Sequence, residues 1–287
     1  MRNIKLLLSY DGSCCHGWQR QRPPSVTLQG VLEEALKVLL REEVHVIASG
    51  RTDAGVHALG QVANFHTHNT KIPLSGIKNG LNALLPNYMA VLQAEEVPLD
   101  FHARKHALCK VYVYCLISAQ TPLPLWRRHA WVLKTPNAQP LNLKAMQQGA
   151  TFFLGTHDFK TFQASGSSVT TTIRTVHNLF IEEGVSGLIP CNFPLPNMYF
   201  YTFTVAANGF LRYMVRNMVG LLVSIGMGKT PPGYVKTALL ARDRSVSAPT
   251  APAQGLFLKQ VIYTQEELEG LNTAITPVSA VRNMDSH

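Results

Sequence analysis

Two apolar runs of strand character, Val44-His45-Val46-Ile47-Ala48 and Gln61-Val62-Ala63-Asn64-Phe65-His66, stand close together in the chain with turn-forming residues between them. Such a pattern reads as two neighbouring strands and their connecting loop. The loop region, Ser49-Gly50-Arg51-Thr52-Asp53-Ala54-Gly55-Val56-His57-Ala58, carries one arginine and one carboxylate between two glycines. Glycine has no side chain to keep another backbone or a substrate away. Loops held by rigid strands are a common place for reactive groups. The same residue types also make ordinary turns, because Asp bonds its own backbone there and an exposed Arg-x-Asp pair adds little stability.

The flanking sequence supplies the remainder of a sheet with covering helices. Ile4 to Tyr10 reads as a first strand, ended by the turn Asp11-Gly12-Ser13. Thr27 is a suitable helix N-cap, and Leu28, Val31, Leu32, Ala35, Leu36 and Leu39 then recur at helical spacing, with Glu33, Glu34, Lys37 and Arg41 on the remainder. A second helix is predicted over Leu74 to Leu85, closed by Pro86-Asn87, with a strand at Val91 to Ala94. The order strand, helix, strand, strand, helix, strand resembles a split βαβ unit, with helices against one face of a mostly antiparallel sheet.

From Ala107 to Ile117 a strand is predicted whose side chains alternate. Tyr112, Tyr114 and Leu116 face one way, and Val113, Cys115 and Ile117 the other. A helix over Leu143 to Leu154 leads to Gly155-Thr156-His157-Asp158-Phe159, and strands are predicted at Val176 to Ile181 and Tyr199 to Ala206. The adjacent His157 and Asp158 suggest a dyad on paper. Sequence neighbours seldom face each other productively, and Asp158 is expected to cap a turn. Leu211, Met214, Val215, Met218, Val219 and Leu222 give a helical apolar face, with Gly226 and Gly228 suited to its end. Arg212 and Arg216, four apart, are expected to project from the same side of that helix. Ser165 to Thr172 and Gly184 to Pro196 read as loops, and Thr264-Gln265-Glu266-Glu267 as the cap of a short last helix.

Composition narrows the class. A chain of 287 residues, 46% apolar and 15% charged, can bury a real core and does not resemble a disordered segment. Lys and Arg number 26 against 17 Asp and Glu, a formal net charge of +9, which suits a polyanionic partner. The cysteines Cys14, Cys15, Cys109, Cys115 and Cys191 are odd in number and include no Cys-x-x-Cys, so neither a disulfide framework nor a zinc ribbon is indicated. Cys14-Cys15-His16 lacks the ligand spacing of a structural metal site. Asp11 interrupts the N-terminal apolar run before a signal-peptide core, and no run reaches membrane-spanning length. The expectation is a soluble, cytoplasmic protein with no membrane contact and no metal.

Taken as a longer string, Gly50-Arg51-Thr52-Asp53-Ala54-Gly55-Val56-His57-Ala58, continuing through Gly60-Gln61-Val62, resembles the signature of the TruA-type tRNA pseudouridine synthases. Tyr10-Asp11-Gly12, Gly17-Trp18-Gln19, Phe101-His102-Ala103-Arg104, Lys110-x-Tyr112-x-Tyr114, the block from Phe210 to Asn217 and Thr250 to Leu256 are similar to further motifs of that family, in the same order. The chain departs from the family at Cys14-Cys15-His16, where many relatives carry aromatics, at Val113, where a basic residue is frequent, and at Tyr213, which replaces histidine. The resemblance implies an α+β pseudouridine synthase fold, two α/β halves with mostly antiparallel sheets around a central basic cleft. The halves would be residues 1–105, bearing the Asp53 loop, and 106–264, completing the site, with 265–287 as a tail.

It further implies that Asp53 is the catalytic aspartate, that Arg216 pairs with it, and that Tyr112 and Leu256 enclose the uracil. Arg51 would fill the space left by the extruded base or hold a phosphate. The implied reaction isomerises uridine to pseudouridine at positions thirty-eight to forty in the anticodon stem-loop of tRNAs, without a cofactor, in a homodimer. A nearby guanidinium is expected to lower the Asp53 pKa. Three rival readings are a relative that modifies other tRNA or RNA positions, an RNA-binding or folding protein whose activity is incidental, which would gain nothing from a carboxylate beside phosphates, and a histidine-based metal hydrolase, for which ligand spacing is lacking.

Overall fold

The structure, a computed structural model, describes residues 1–164, 166, 169–184 and 198–274. Its described strands form one ten-stranded sheet. Strand β1 (Arg2–Tyr10) lies between β3 (His57–Thr67) and β4 (Met89–Val97), antiparallel to both, with Leu6 opposite Ala63 on one side and Ala94 on the other. Helices α1 (Leu28–Leu40) and α2 (Leu74–Leu84) connect these strands. The layout is the predicted one, and Ile4, Leu6 and Leu8 of β1 are fully buried. The second half contributes β5 (Cys109–Ala119), β6 (Trp131–Lys134), β7 (Gly155–Asp158), β8 (Ile173–Glu183) and β9 (Met198–Ala207), with α3 (Leu143–Thr151), α4 (Met214–Gly226) and α5 (Tyr234–Ala241).

The late strand β10 (Leu256–Ile262) joins the two sets. It runs parallel to β3 through Phe257 and Leu258, opposite His57 and Ala58, and antiparallel to β5, with Leu256 opposite Tyr114 and Leu258 opposite Tyr112. One sheet therefore continues from β4 to β7. The alternation read along β5 is what separates its packing. Tyr112, Tyr114 and Leu116 enter the large core with the helices, while Val113, Cys115 and Ile117 join a smaller cluster with Trp126, Val132 and Phe200.

Local chemistry explains where elements begin and end. The Thr27 side chain accepts the Gly30 N–H and opens α1. Glu33 of α1, expected on the polar remainder, is buried: it accepts the Val46 N–H, while Gln29 donates to the Val46 carbonyl. Those side chains occupy the backbone groups a strand ladder would use, so β2 is only Ile47–Ala48 and not the longer run expected from Val44. The segment after α3 forms strand β7, paired antiparallel with β8 from Gly155 opposite Val176 to Asp158 opposite Ile173. The last helix, α6 (Gln265–Ala274), starts at a capping box in which Thr264 Oγ1 accepts the Glu267 N–H and Glu267 accepts the Thr264 N–H. Cys191, most of the loop after Gly184, part of the Ser/Thr loop and the tail after Ala274 lie outside the described residues. Among the described residues Cys14, Cys15, Cys109 and Cys115 are free thiols, and no helix is long and apolar enough to cross a membrane.

Helix α4 differs from expectation in an informative way. Tyr213 sits in the left-handed region at φ +66°, so the helix begins only at Met214, and Arg212 lies outside it. Arg212 and Arg216 therefore do not share a helix face. Leu211 still reaches the core, because a turn from its carbonyl to the Met214 N–H carries it inward.

Candidate active site

The loop between β2 and β3 is braced from below by the segment that follows β1. The Trp18 N–H donates to the Thr52 carbonyl, and Gly17, at φ +86°, lies so near that a Cβ there would stand 2.8 Å from the same oxygen. A Cβ on Gly12 would meet the Val56 carbonyl oxygen at 2.0 Å, so only glycine allows that approach. Trp18 is buried against Tyr10, whose hydroxyl bonds Thr52 Oγ1 at 2.8 Å. Gln61 of β3 donates to Tyr10 Oη and to the Gly50 carbonyl and accepts from Ser49 Oγ. Burial pushes the Tyr10 hydroxyl up to about 12, so it stays a neutral hydrogen-bonding group. The motif residues around Tyr10 and Trp18 thus act as the scaffold of the Asp53 loop.

Asp53 emerges from that scaffold partly open to solvent and meets two guanidiniums from the other half of the chain. Its Oδ1 lies 3.6 Å from Arg212 Nε and its Oδ2 3.8 Å from Arg216 Nη1. Arg216 belongs to the first turn of α4, and its Nε donates to the Ala251 carbonyl at 2.7 Å. Ala251 returns its N–H to the Arg216 carbonyl. Gly220 makes room for this strap, since a Cβ there would stand 2.1 Å from the Pro249 carbonyl oxygen. Asn217 and Thr250 continue the connection, both bonded to Arg244. The Tyr213 ring lies 4.5 Å from the Arg216 guanidinium carbon and 5.0 Å from that of Arg212.

The electrostatic balance at Asp53 corrects one expectation. Burial raises its pKa, Arg216 and then Arg212 lower it, and the burial effect is the larger, so the carboxyl titrates above its ordinary value. The arginines limit the rise; they do not reverse it.

The other singled-out residues fall around this centre. Tyr112 is almost wholly buried, packs edge-on against Phe210, and feels the charge of Asp53. Leu256 is buried on the same sheet face as Tyr112, and the strap before it touches the loop where a Gly55 Cβ would lie 3.2 Å from Ala253 Cβ. Arg51 is exposed and, among the described residues, pairs with no carboxylate; burial first, and then the nearby Arg51 charge, lower the pKa of Arg104. Arg104 and Arg174 in turn act on Lys110, whose Nζ donates to the Ser49 carbonyl at 2.6 Å. Burial first, then those two positive charges, bring Lys110 down to about 8. Reasoning from sequence did not single out Arg212 as a partner of Asp53, nor Lys110, Tyr10 and Gln61 as its supports. The positions lay within recognised motifs, but their contacts are set by tertiary packing.

Neither histidine grouping makes a catalytic centre. His157 bonds the Leu154 carbonyl, whereas Asp158 accepts from the Lys160 N–H and Thr172 and pairs with Arg242, the turn-capping role expected of it. Asp11, His57 and His129 bring three ligand-type atoms within 4.8 Å of one another. However, the Gly12 N–H donates to His57 Nδ1, the atom 3.1 Å from Asp11 Oδ1. That lone pair is engaged, so the trio suits a tie between the Asp11 turn, β3 and the His129 loop better than a metal.

A family model described as tRNA pseudouridine synthase matches residues 7–104 and 150–264. A curated protein from Thermoanaerobacter pseudethanolicus named tRNA pseudouridine synthase A is 43% identical over 263 residues, covering 92% of this chain and 100% of that protein. Proteins of the same name from Geotalea daltonii and Acetivibrio thermocellus are 41% and 40% identical, again over 92% of this chain and 100% of theirs.

Proposed function

This chain belongs to the tRNA pseudouridine synthase family, and on that footing we propose that it isomerises uridine to pseudouridine in the anticodon stem-loop of tRNAs, at positions thirty-eight to forty, with Asp53 as the reacting carboxylate. The N1–C1′ bond of the target uridine breaks, the uracil turns, and C5 bonds to C1′. C5 gives up its proton and N1 gains one, so substrate and product are isomers and no oxidant, reductant or energy source is consumed.

The observation that carries this reading is the meeting of Asp53 with Arg212 and Arg216 across the chain, at a point where its carboxylate remains partly open. Whether the carboxylate attacks the sugar or the base, or takes a sugar proton, it must be ionised, and the paired guanidiniums favour that form. Arg51, Arg104, Lys110 and Arg174 form a set of cations near one another; among the described residues none has a carboxylate at ion-pair distance. That is the arrangement an RNA backbone neutralises. Extruding a base costs a few kcal/mol. Tyr112 and Leu256 are the residues assigned to enclose the uracil, and Arg51 to the vacated stack or a phosphate.

The same reading takes residues 1–105 and 106–264 as the two halves of the site, a homodimer as the working form, and the cytoplasm as its place. Light scattering of the full chain with and without tRNA tests the dimer. The activity is tested by incubating the purified protein with unmodified tRNA transcripts, adding no cofactor, and mapping pseudouridine by chemical labelling and primer extension. Stops confined to the anticodon stem-loop are expected; stops elsewhere would reassign the substrate position, and none at all would refute the function.

A further inference from the structure

The two arginines on Asp53 are held very differently. Arg216 has a side chain 13% exposed and is fixed by the Ala251 carbonyl, so it stays with the carboxylate. The Arg212 side chain is 56% exposed and precedes the helix; its contacts among the described residues are Asp53 and the Tyr213 ring. A half-exposed ion pair of this kind contributes little and is readily exchanged. It also covers one oxygen of the carboxylate that must reach the nucleoside.

We propose that Arg212 changes partners during the reaction cycle: it pairs with Asp53 in the free protein and moves to a phosphate of the bound RNA, uncovering the carboxylate while Arg216 keeps it ionised. The inference rests on the reading of this site as a tRNA pseudouridine synthase. A guanidinium matches a phosphate as well as a carboxylate, through two parallel N–H donors, so the exchange replaces one oxyanion by another. Tyr213 provides the pivot. Its left-handed backbone is unfavourable for an aromatic residue and persists only where the surroundings hold it. The ring that this conformation presents lies within cation–π reach of both guanidiniums, so Arg212 keeps that contact while its anion changes.

The test uses the full chain and unmodified tRNA, comparing Arg212→Gln, Arg212→Lys and Arg216→Gln with the original. Binding is measured against salt, and the single-turnover rate at saturating protein. For Arg212→Gln the slope of log affinity against log salt is expected to fall by about 0.7–0.9, the contribution of one phosphate contact. The loss in kcat/KM should exceed the loss in saturating rate, and Arg212→Lys should restore the slope. Arg216→Gln should show the reverse, a depressed saturating rate with an unchanged slope. An unchanged slope in Arg212→Gln, or a saturating rate that collapses as in Arg216→Gln, would overturn the exchange. Absence of pseudouridine with the original protein would instead remove the functional reading, while the slopes would still report on the phosphate contact. Equal thermal midpoints for the variants exclude misfolding as the cause.

Discussion

Oδ2 of Asp53 lies 3.8 Å from Nη1 of Arg216, although one residue comes from the loop before β3 and the other from the first turn of α4. The pair ties the two halves of the chain together beside the β3–β10–β5 seam. The site is thus a product of tertiary structure, drawing on the loop before β3 and the first turn of α4.

Replacing Asp53 by Asn should abolish isomerisation, by on the order of 10⁴-fold or more, as expected for removal of a reacting side chain. It should also stabilise the fold at neutral pH. The folded-state pKa is raised, so the folded protein binds more protons than the unfolded chain between the ordinary and the raised value, and stability falls as pH rises through that window. Thermal midpoints of the two proteins should differ at pH 7, Asn being higher, and converge below the ordinary carboxylate range.

Arg216→Gln removes the largest influence holding the Asp53 pKa down. The acid limb of the single-turnover rate should therefore move to higher pH. A profile of rate against pH checks this, and an acid limb that stays in place would separate Arg216 from the ionisation of Asp53.

Lys110 titrates near 8 in the folded protein against an ordinary value of 10.5. Between those values the unfolded chain binds more protons, so Lys110 makes stability rise with pH across that window. Buried cysteines work in the opposite direction there, so the difference between the original and Lys110→Met is the proper readout. Denaturant midpoints from pH 7 to pH 10 should show the advantage of the Met variant shrinking as pH rises.

Gly220→Ala would drive a Cβ into the Pro249 carbonyl, a backbone atom that cannot swing aside. A loss of about 1–3 kcal/mol is expected from the forced shift. Because the same strap carries the Ala251 carbonyl that orients Arg216, activity at a temperature where the variant is folded should also fall. Chemical denaturation and single-turnover rates measured together check both effects.

Much of this arrangement is legible in the sequence. The Thr27 cap and the leucine spacing of α1, the side-chain alternation along β5, and Asp53 in its glycine-flanked loop all follow from local pattern or motif. What local pattern could not reveal were choices made by tertiary contacts. Val44 to Val46 has strand residues, yet the Glu33 and Gln29 side chains take over the Val46 backbone. The apolar spacing around Leu211 suits a helix, yet the left-handed Tyr213 delays its start and sends Arg212 to Asp53 by another path. Burial outweighs the paired arginines in setting the Asp53 pKa, and burial at a given side chain is a property of the assembled fold.

On the proposed function, the Asp53 carboxylate drives replacement of the N1–C1′ bond by a C5–C1′ bond in tRNA. Tritium release from transcripts carrying uridine labelled at C5 tests it most directly, because C5 must lose its hydrogen as the new bond forms. Release is expected from the protein with no added cofactor, in step with pseudouridine formed, and none from the Asp53→Asn variant. Release that persists in that variant, or pseudouridine formed at an undiminished rate without Asp53, would contradict it.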